Sequence, residues 1–297
     1  MPESIRLVLG FSPGSASDQI ARIVAPALER ELRASIQIEL RPGQNGAPAA
    51  ADVAASKPDG TTLFMATLGT HALAPNLNDQ LPYDALRDFA PVTLVARGPL
   101  LLACHASLGA SSVSELIARA RTYPGALSYG TSAIGGAPHL AAELFQSLAG
   151  IEMRHARYDH TERLYDDLEH GRIDLSFNNV MSMLPRCRDG RLQALAVTSG
   201  TRSAVAPDLP SIAESGLPGY EVTNWVGIVA PKATPGSIVD ALASAVQRAC
   251  ASSSVQDAVI GAGVTPSAGT PAEFRDFIAA EIGRWRPIVA RFQQTTA

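Results

Sequence analysis

Along its length the chain alternates short apolar runs with amphipathic stretches of helical period, and that alternation confines it to the α/β class with largely parallel sheets. Strand patterns fall at residues 5–9, 36–40, 62–67, 92–96, 100–105, 173–177, 192–198 and 222–230. Helical patterns fall between them, at 46–56, 113–123, 238–251 and 271–293, and behind two loops considered next. At 297 residues the chain exceeds one compact core, and two α/β lobes are expected.

Two of these units share one design, an apolar strand, a loop of Gly, Ser and Pro, and an amphipathic helix: IRLVLG-FSPGSASD-QIARIVAPALEREL from Ile5 and LSYG-TSAIGGAP-HLAAELFQSLAG from Leu127. A helix start leaves about four N–H groups unpaired and carries about half a positive charge, so a small-residue loop feeding it suits an anion. Two such loops suggest two lobes closing on a small acid. In the first, Gly14 admits close backbone approach, Ser12, Ser15 and Ser17 bring hydroxyls, and Phe11 covers one side. Either Ser15 or Ser17 can cap the helix, and Asp18 sits in its first turn, beside the dipole. Ile20, Ile23, Val24 and Leu28 form the buried stripe, and Pro26 is expected to kink the helix. In the second, Thr131, Ser132, Gly135, Gly136 and Ala137 play the same part. Pro138 sits in the first turn, Leu140, Leu144 and Leu148 line one face, and Gly150 ends the helix.

Two further segments join the candidate site, because ligands of open α/β sheets sit beyond strand carboxyl ends. These are the small polar loop Leu68-Gly69-Thr70-His71 and the strand end Asn178-Asn179. His139 is either a first-turn residue bonding nearby backbone or a donor facing the ligand.

Other classes are poorly supported. Basic residues number 24 against 28 acidic, a net of −4 without a basic cluster, which argues against a nucleic-acid partner. No apolar run reaches the roughly 18–20 residues of a membrane span. Cys104, Cys187 and Cys250 are widely spaced and show no metal-ligand spacing, so three buried thiols and no metal or cofactor are expected. The nucleophile-elbow, P-loop, dinucleotide and zinc-protease signatures are absent. An enzymatic reading, hydrolase or transferase, rests only on His71, His139 and the loop serines.

The chain resembles the Bug-type receptors of tripartite tricarboxylate transporters. The resemblance is carried by IRLVLGFSPGSASDQIAR, RPGQNG, KPDGTTLFMATLGTHALAP, LPYDALRDFAPVTLVA, LSYGTSAIGGAPHLAAELF, GRIDLSFNNV, LQALAVTS, PDLPSIAESGLPGYEVTNWVGIVAPKATP and TPAEFRDFIAAEIGRW, in that order. It implies a type II periplasmic-binding fold, with residues 1–100 and 224–297 in one lobe, 101–223 in the other, and crossover hinge strands between them. It also implies a monomeric, non-catalytic receptor in the periplasm, its signal peptide removed. Such a receptor takes a small carboxylate (dicarboxylate, amino acid, tricarboxylate or aromatic acid) and hands it to membrane permease subunits or, alternatively, a sensor. Against the family pattern, Pro-Pro-Gly-Gly becomes Ser12-Pro13-Gly14-Ser15-Ala16, Asp-Asn becomes Asn178-Asn179, and Tyr-Lys-Gly becomes Tyr158-Asp159-His160. The carboxylate pincer is expected to survive these changes while the far end of the ligand differs.

Overall fold

A computed structural model describes residues 2–132 and 135–295, with side chains as far as 290. The first stretch of chain supplies β1 (Ser4–Leu9), α1 (Ala16–Leu32), β2 (Ser35–Leu40), α2 (Ala47–Ala54), β3 (Thr62–Thr67), α3 (Ala74–Leu77) and β4 (Phe89–His105). The central stretch supplies α4 (Val113–Thr122), β5 (Ser128–Thr131), α5 (Ala137–Ala149), β6 (Arg154–Arg157), α6 (Thr161–Glu169), β7 (Leu175–Asn179), α7 (Val180–Met183) and β8 (Leu192–Val197). The last supplies β9 (Thr223–Pro231), α8 (Gly236–Ala251), α9 (Ser253–Gly261), β10 (Thr265–Pro266) and α10 (Pro271–Thr295).

These elements form two compact units, Met1–Arg97 with Trp225–Ala297, and Gly98–Asn224. In the first, β2, β1 and β3 run parallel, β9 lies antiparallel on β3, and β10 lies antiparallel on β4 at Arg97 and Ala96. In the second, β6, β5 and β7 run parallel, and β4 lies antiparallel to both β7 and β8. Each sheet is therefore parallel where the paired strand–loop–helix design sits and mixed beyond it. The segments expected as two strands, 92–96 and 100–105, form the single strand β4. Arg97-Gly98-Pro99 looks like a turn in sequence, but Arg97 pairs with Thr265, which holds the backbone extended.

Helix ends follow their capping chemistry. Ser15 is the N-cap of α1, its hydroxyl accepting the Asp18 N–H at 3.4 Å, and the helix continues through exposed Pro26. Gly150 adopts the left-handed conformation (φ 60°) that ends α5. Leu140 and Leu144 are buried, but Leu148 is 42% exposed, against expectation. A step of eight residues advances about 80° past whole turns of an α-helix, so Leu148 rotates off the face. Ala141, Phe145 and Ala149 take the buried positions instead. Cys104 and Cys250 are buried and Cys187 is half-buried rather than enclosed; all three are free thiols.

The core of the first unit encloses a carboxylate on α10. Glu281 of α10 is 7% exposed, and its Oε2 accepts the indole N–H of Trp225 at 3.2 Å and of Trp285 at 3.3 Å. Removing an acceptor from buried donors costs about 1–3 kcal/mol per donor, so Glu281→Leu is expected to destabilise the protein by about 2–4 kcal/mol in urea unfolding. A Glu281→Gln variant, which keeps a carbonyl acceptor, should lose less. Equal losses would count against the shared acceptor.

Candidate functional site

In both units the candidate residues stand at the carboxyl ends of three adjacent parallel strands. In the first unit these are the segments after β1, β2 and β3. They meet through glycines: a Cβ on Gly10 would lie 2.5 Å from Gly46 Cα, and one on Gly46 would lie 3.0 Å from Thr70 Cγ2. A Cβ on Gly69 would lie 3.4 Å from the Phe11 ring, which places that ring against the segment after β3. The turn after β2 has four successive positive φ angles, at Gly43, Gln44, Asn45 and Gly46. The sequence reading passed over it as a site, although the Pro-Gly and Asn-Gly pairs around it are turn signals.

The α1 start is partly self-satisfied. Asp18, 3% exposed, accepts the Gly14 N–H through Oδ2 at 2.9 Å and the Arg22 guanidinium through Oδ1 at 2.7 Å. This is the helix-start role considered for it. The Ser15 and Ser17 hydroxyls lie 3.2 Å apart, with Ser17 buried and Ser15 half-buried. Ser12 and Gly14 are exposed, Gly14 at φ 79°. The first-turn amides of Ala16 and Ser17 have no intrahelical partner by helix geometry, so this end offers amides and hydroxyls beside a carboxylate already neutralised by Arg22.

Residues Leu68–His71, expected as an open loop, are a closed helical turn, with Gly69–Leu73 in π-helical geometry. Leu68, Thr70 and His71 are fully buried. Two threonines hold the turn: the Thr67 N–H donates to Thr70 Oγ1 at 3.0 Å, and the Thr70 N–H donates to Thr67 Oγ1 at 3.2 Å. The His71 ring lies 4.8 Å from Phe89, 5.8 Å from Phe64 and 6.0 Å from Tyr83, with Nδ1 3.0 Å from Thr70 Oγ1. Its Nε2 has no partner, and burial pushes its pKa down to about 3. The ring is therefore neutral.

In the second unit the segments after β5, β6 and β7 bring Thr131, Ser132, Tyr158, Asp159, Asn178 and Asn179 to one sheet edge. Ala133 and Ile134 lie outside the described residues. The start of α5 differs from that of α1. Gly136 is its N-cap and makes no side-chain cap bond, Pro138 lacks an N–H, and the first turn holds no acidic residue. Its positive end is thus left to the backbone of Gly135 (φ 73°), Gly136 and Ala137. Around it, the Thr161 hydroxyl donates to Ser132 Oγ at 3.1 Å, and Asn178 Nδ2 donates to Ser176 Oγ at 2.8 Å. The Asn179 carbonyl accepts from Asn224 Nδ2 at 3.4 Å. Tyr158 donates to Asp167 at 2.8 Å, and burial with that carboxylate raises its phenol to about 12. Asp159 and His160 are exposed.

His139 is held as the backbone-bonding alternative describes: the Gly135 N–H donates to its Nδ1 at 3.1 Å. His155, which the sequence reading did not single out, lies opposite Tyr129 in the β5–β6 register. Among the described residues no group of three or more His, Cys, Asp or Glu is placed to hold a metal, and no helix is long and apolar enough to cross a membrane.

A family model described as tripartite tricarboxylate transporter family receptor matches residues 20–293. An R. palustris protein solved with adipate is 36% identical, with TM-score 0.90, over 97% of this chain and 96% of that one. MatC from Rhodopseudomonas palustris, with bound malate, is 29% identical, with TM-score 0.87, over 96% and 98%. The periplasmic binding protein BugD is 26% identical, with TM-score 0.88, over 98% of both chains. The type II periplasmic-binding fold expected from the resemblance is the fold these structures share with this chain.

Proposed function

Because the chain belongs to the tripartite tricarboxylate transporter family of receptors, we propose that it is a periplasmic, non-catalytic receptor for a small dicarboxylate, delivered to permease subunits in the membrane. The observation that carries this reading is the start of α5, whose positive end has neither a side-chain cap nor an acidic residue in its first turn. One carboxylate of the ligand is received there by the amides of Gly136 and Ala137 with the Ser132 hydroxyl. The start of α1, with Ser12, Ser15 and the amides of Ala16 and Ser17, offers a second carboxylate-binding end of the same kind. Adipate and malate in the related structures support a dicarboxylate rather than a larger acid.

The energetics limit what dipoles can do. A helix terminus supplies about 0.3–1 kcal/mol, rising to about 2 when partly buried, whereas shifting a closure equilibrium from 1:99 to 99:1 needs about 5.5. Hydroxyl and amide hydrogen bonds supply the rest, which makes geometry at the two loops decisive.

The test is a thermal-shift series with adipate, malate and the diamide of each. A ligand at about 100 times its dissociation constant adds about 2.7 kcal/mol of stability, a shift of about a degree or more in a chain this long. Stabilisation by a diacid and not by its diamide is expected, with the acid recovered unchanged by NMR after hours. Equal shifts for acid and amide, or no shift by any acid, would overturn the reading. Turnover abolished by His139→Ala would favour the enzymatic alternative.

A further inference from the structure

Behind the second loop three rings lie almost parallel. His155 is 4.9 Å from Tyr129 at 19° and 4.7 Å from His139 at 27°, while Tyr129 and His139 are 6.4 Å apart at 18°. Each histidine also holds one end of the loop. His155 Nε2 is 2.7 Å from Thr131 Oγ1, at the last residue of β5, and His139 Nδ1 accepts the Gly135 N–H just before α5. We propose that His139 and His155 are positioning residues for this acid-binding loop, His139 being effective only while its ring is uncharged. The inference rests on the receptor reading above for what the loop binds.

The chemistry follows from the atoms. Accepting from Gly135 requires a lone pair on Nδ1; a proton there sets one N–H against another and breaks the bond. A second positive charge on a ring 4.7 Å away is repelled by the first. The charged and titratable neighbours are Glu143 on α5, Tyr129 on β5 and Arg157 on β6. Glu143 Oε1 lies 3.8 Å from His139 Nε2, which favours a charge on His139, but this carboxylate already accepts from the Tyr129 hydroxyl and from Gln146 Nε2. Arg157 opposes a charge on His155. Both histidines sit below their ordinary pKa, through desolvation first and, for His155, also through the facing His139. At neutral pH the loop is therefore held at both ends, and the His139 hold is lost on the acid side of an ordinary histidine.

Two substitutions keep the hydrogen-bonding atom and remove the titration. Asn places an acceptor where His139 Nδ1 stands, and Gln reaches to where His155 Nε2 stands. Calorimetry with adipate at pH 7.5 and 4.0 compares the wild type with the H139N/H155Q double variant, so that the ligand's own titration cancels in the ratio. The wild type is expected to lose about three- to tenfold more affinity on acidification than the double variant, the factor one or two net hydrogen bonds supply. A second readout needs no ligand: hydrogen exchange of the Gly135 amide, corrected for the intrinsic rate. Exchange should quicken in H139L at pH 7.5 and in the wild type at pH 4.0, and remain slow in H139N, with melting curves confirming that all variants are folded. If adipate binds and both proteins show the same pH profile, the positioning role is wrong while the receptor reading stands. If adipate binds at neither pH but exchange follows the histidines, the receptor reading fails alone. Unchanged exchange in H139L overturns the positioning role whatever the ligand does.

Discussion

Acidification from pH 7.5 to pH 5 is expected to remove about 2 kcal/mol of folding stability through His71 alone, and about 4 kcal/mol by pH 3.5. The sign follows from where the ring sits. His71 is fully buried among Phe64, Phe89 and Tyr83, with Nε2 unpartnered, and burial holds its pKa down to about 3 against about 6.5 in an unfolded chain. Above pH 6.5 neither state binds the proton and nothing is lost. Below it the unfolded chain takes up a proton that the folded one refuses, so stability falls steadily until the folded pKa is reached. Urea unfolding at a series of pH values reads this directly in the wild type and in H71N. Asn keeps a polar atom near Thr70 Oγ1 and does not titrate, but it leaves a cavity where the imidazole lay. H71N should therefore begin lower at pH 7.5 and fall less on acidification. Parallel losses in the two proteins would place the acid sensitivity elsewhere.

His71 also shows where sequence stopped being informative. A polar residue after an apolar strand reads as facing a ligand, because sequence marks the strand end but not the direction of the side chain. Here the turn closes: Thr67 and Thr70 satisfy each other's amides, the Tyr83 hydroxyl donates to the Thr70 carbonyl at 2.6 Å, and the imidazole turns inward. What was legible was periodic or local. The strand–helix alternation, the Ser15 cap, the Gly150 stop and the two small-residue loops all depend on neighbours within about one helical turn. What was not legible depends on register between distant segments. His155 meets Tyr129 only because β5 and β6 pair in that register, and β4 runs on through Arg97-Gly98-Pro99 between its pairing with β10 at Arg97 and with β7 from Leu100. The 9-residue helices α6 and α9 were also passed over: α9 buries only Val255 and Val259 and gives a weak apolar stripe, whereas the Leu164, Tyr165 and Leu168 face of α6 was legible and missed. Of the two dipole sites, sequence also could not say which one carries its own counter-charge. Asp18 was seen as a helix-start residue, but its simultaneous hold on Gly14 and Arg22 requires coordinates.

Gly10→Ala is expected to lower affinity for a dicarboxylate at least about tenfold, equivalent to about 1.4 kcal/mol, while costing about 1–3 kcal/mol of stability. Gly10 ends the strand that feeds the first loop, and its α-carbon faces that of Gly46 closely enough that an added methyl would stand 2.5 Å from Gly46 Cα and 3.3 Å from its carbonyl oxygen. Both obstacles are backbone, so no rotamer relieves them, and the two segments must part. Gly46 is itself held at φ 81° and pressed against Thr70, so a retreat on that side disturbs the turn after β3 as well. The three strand ends of the first unit are thus spaced by one pair of glycines, and a small displacement there reaches Ser12, Ser15 and the first amides of α1 together. Gly236→Ala is the matched control: it adds the same methyl in the same unit, at the start of α8, where nothing lies within 4 Å. That control should bind as the wild type does and melt no lower, since Ala favours a helix over Gly. If Gly10→Ala binds a dicarboxylate as tightly as Gly236→Ala does, the spacing of the first loop does not govern capture, and the second unit must supply nearly all of the affinity through its uncapped helix.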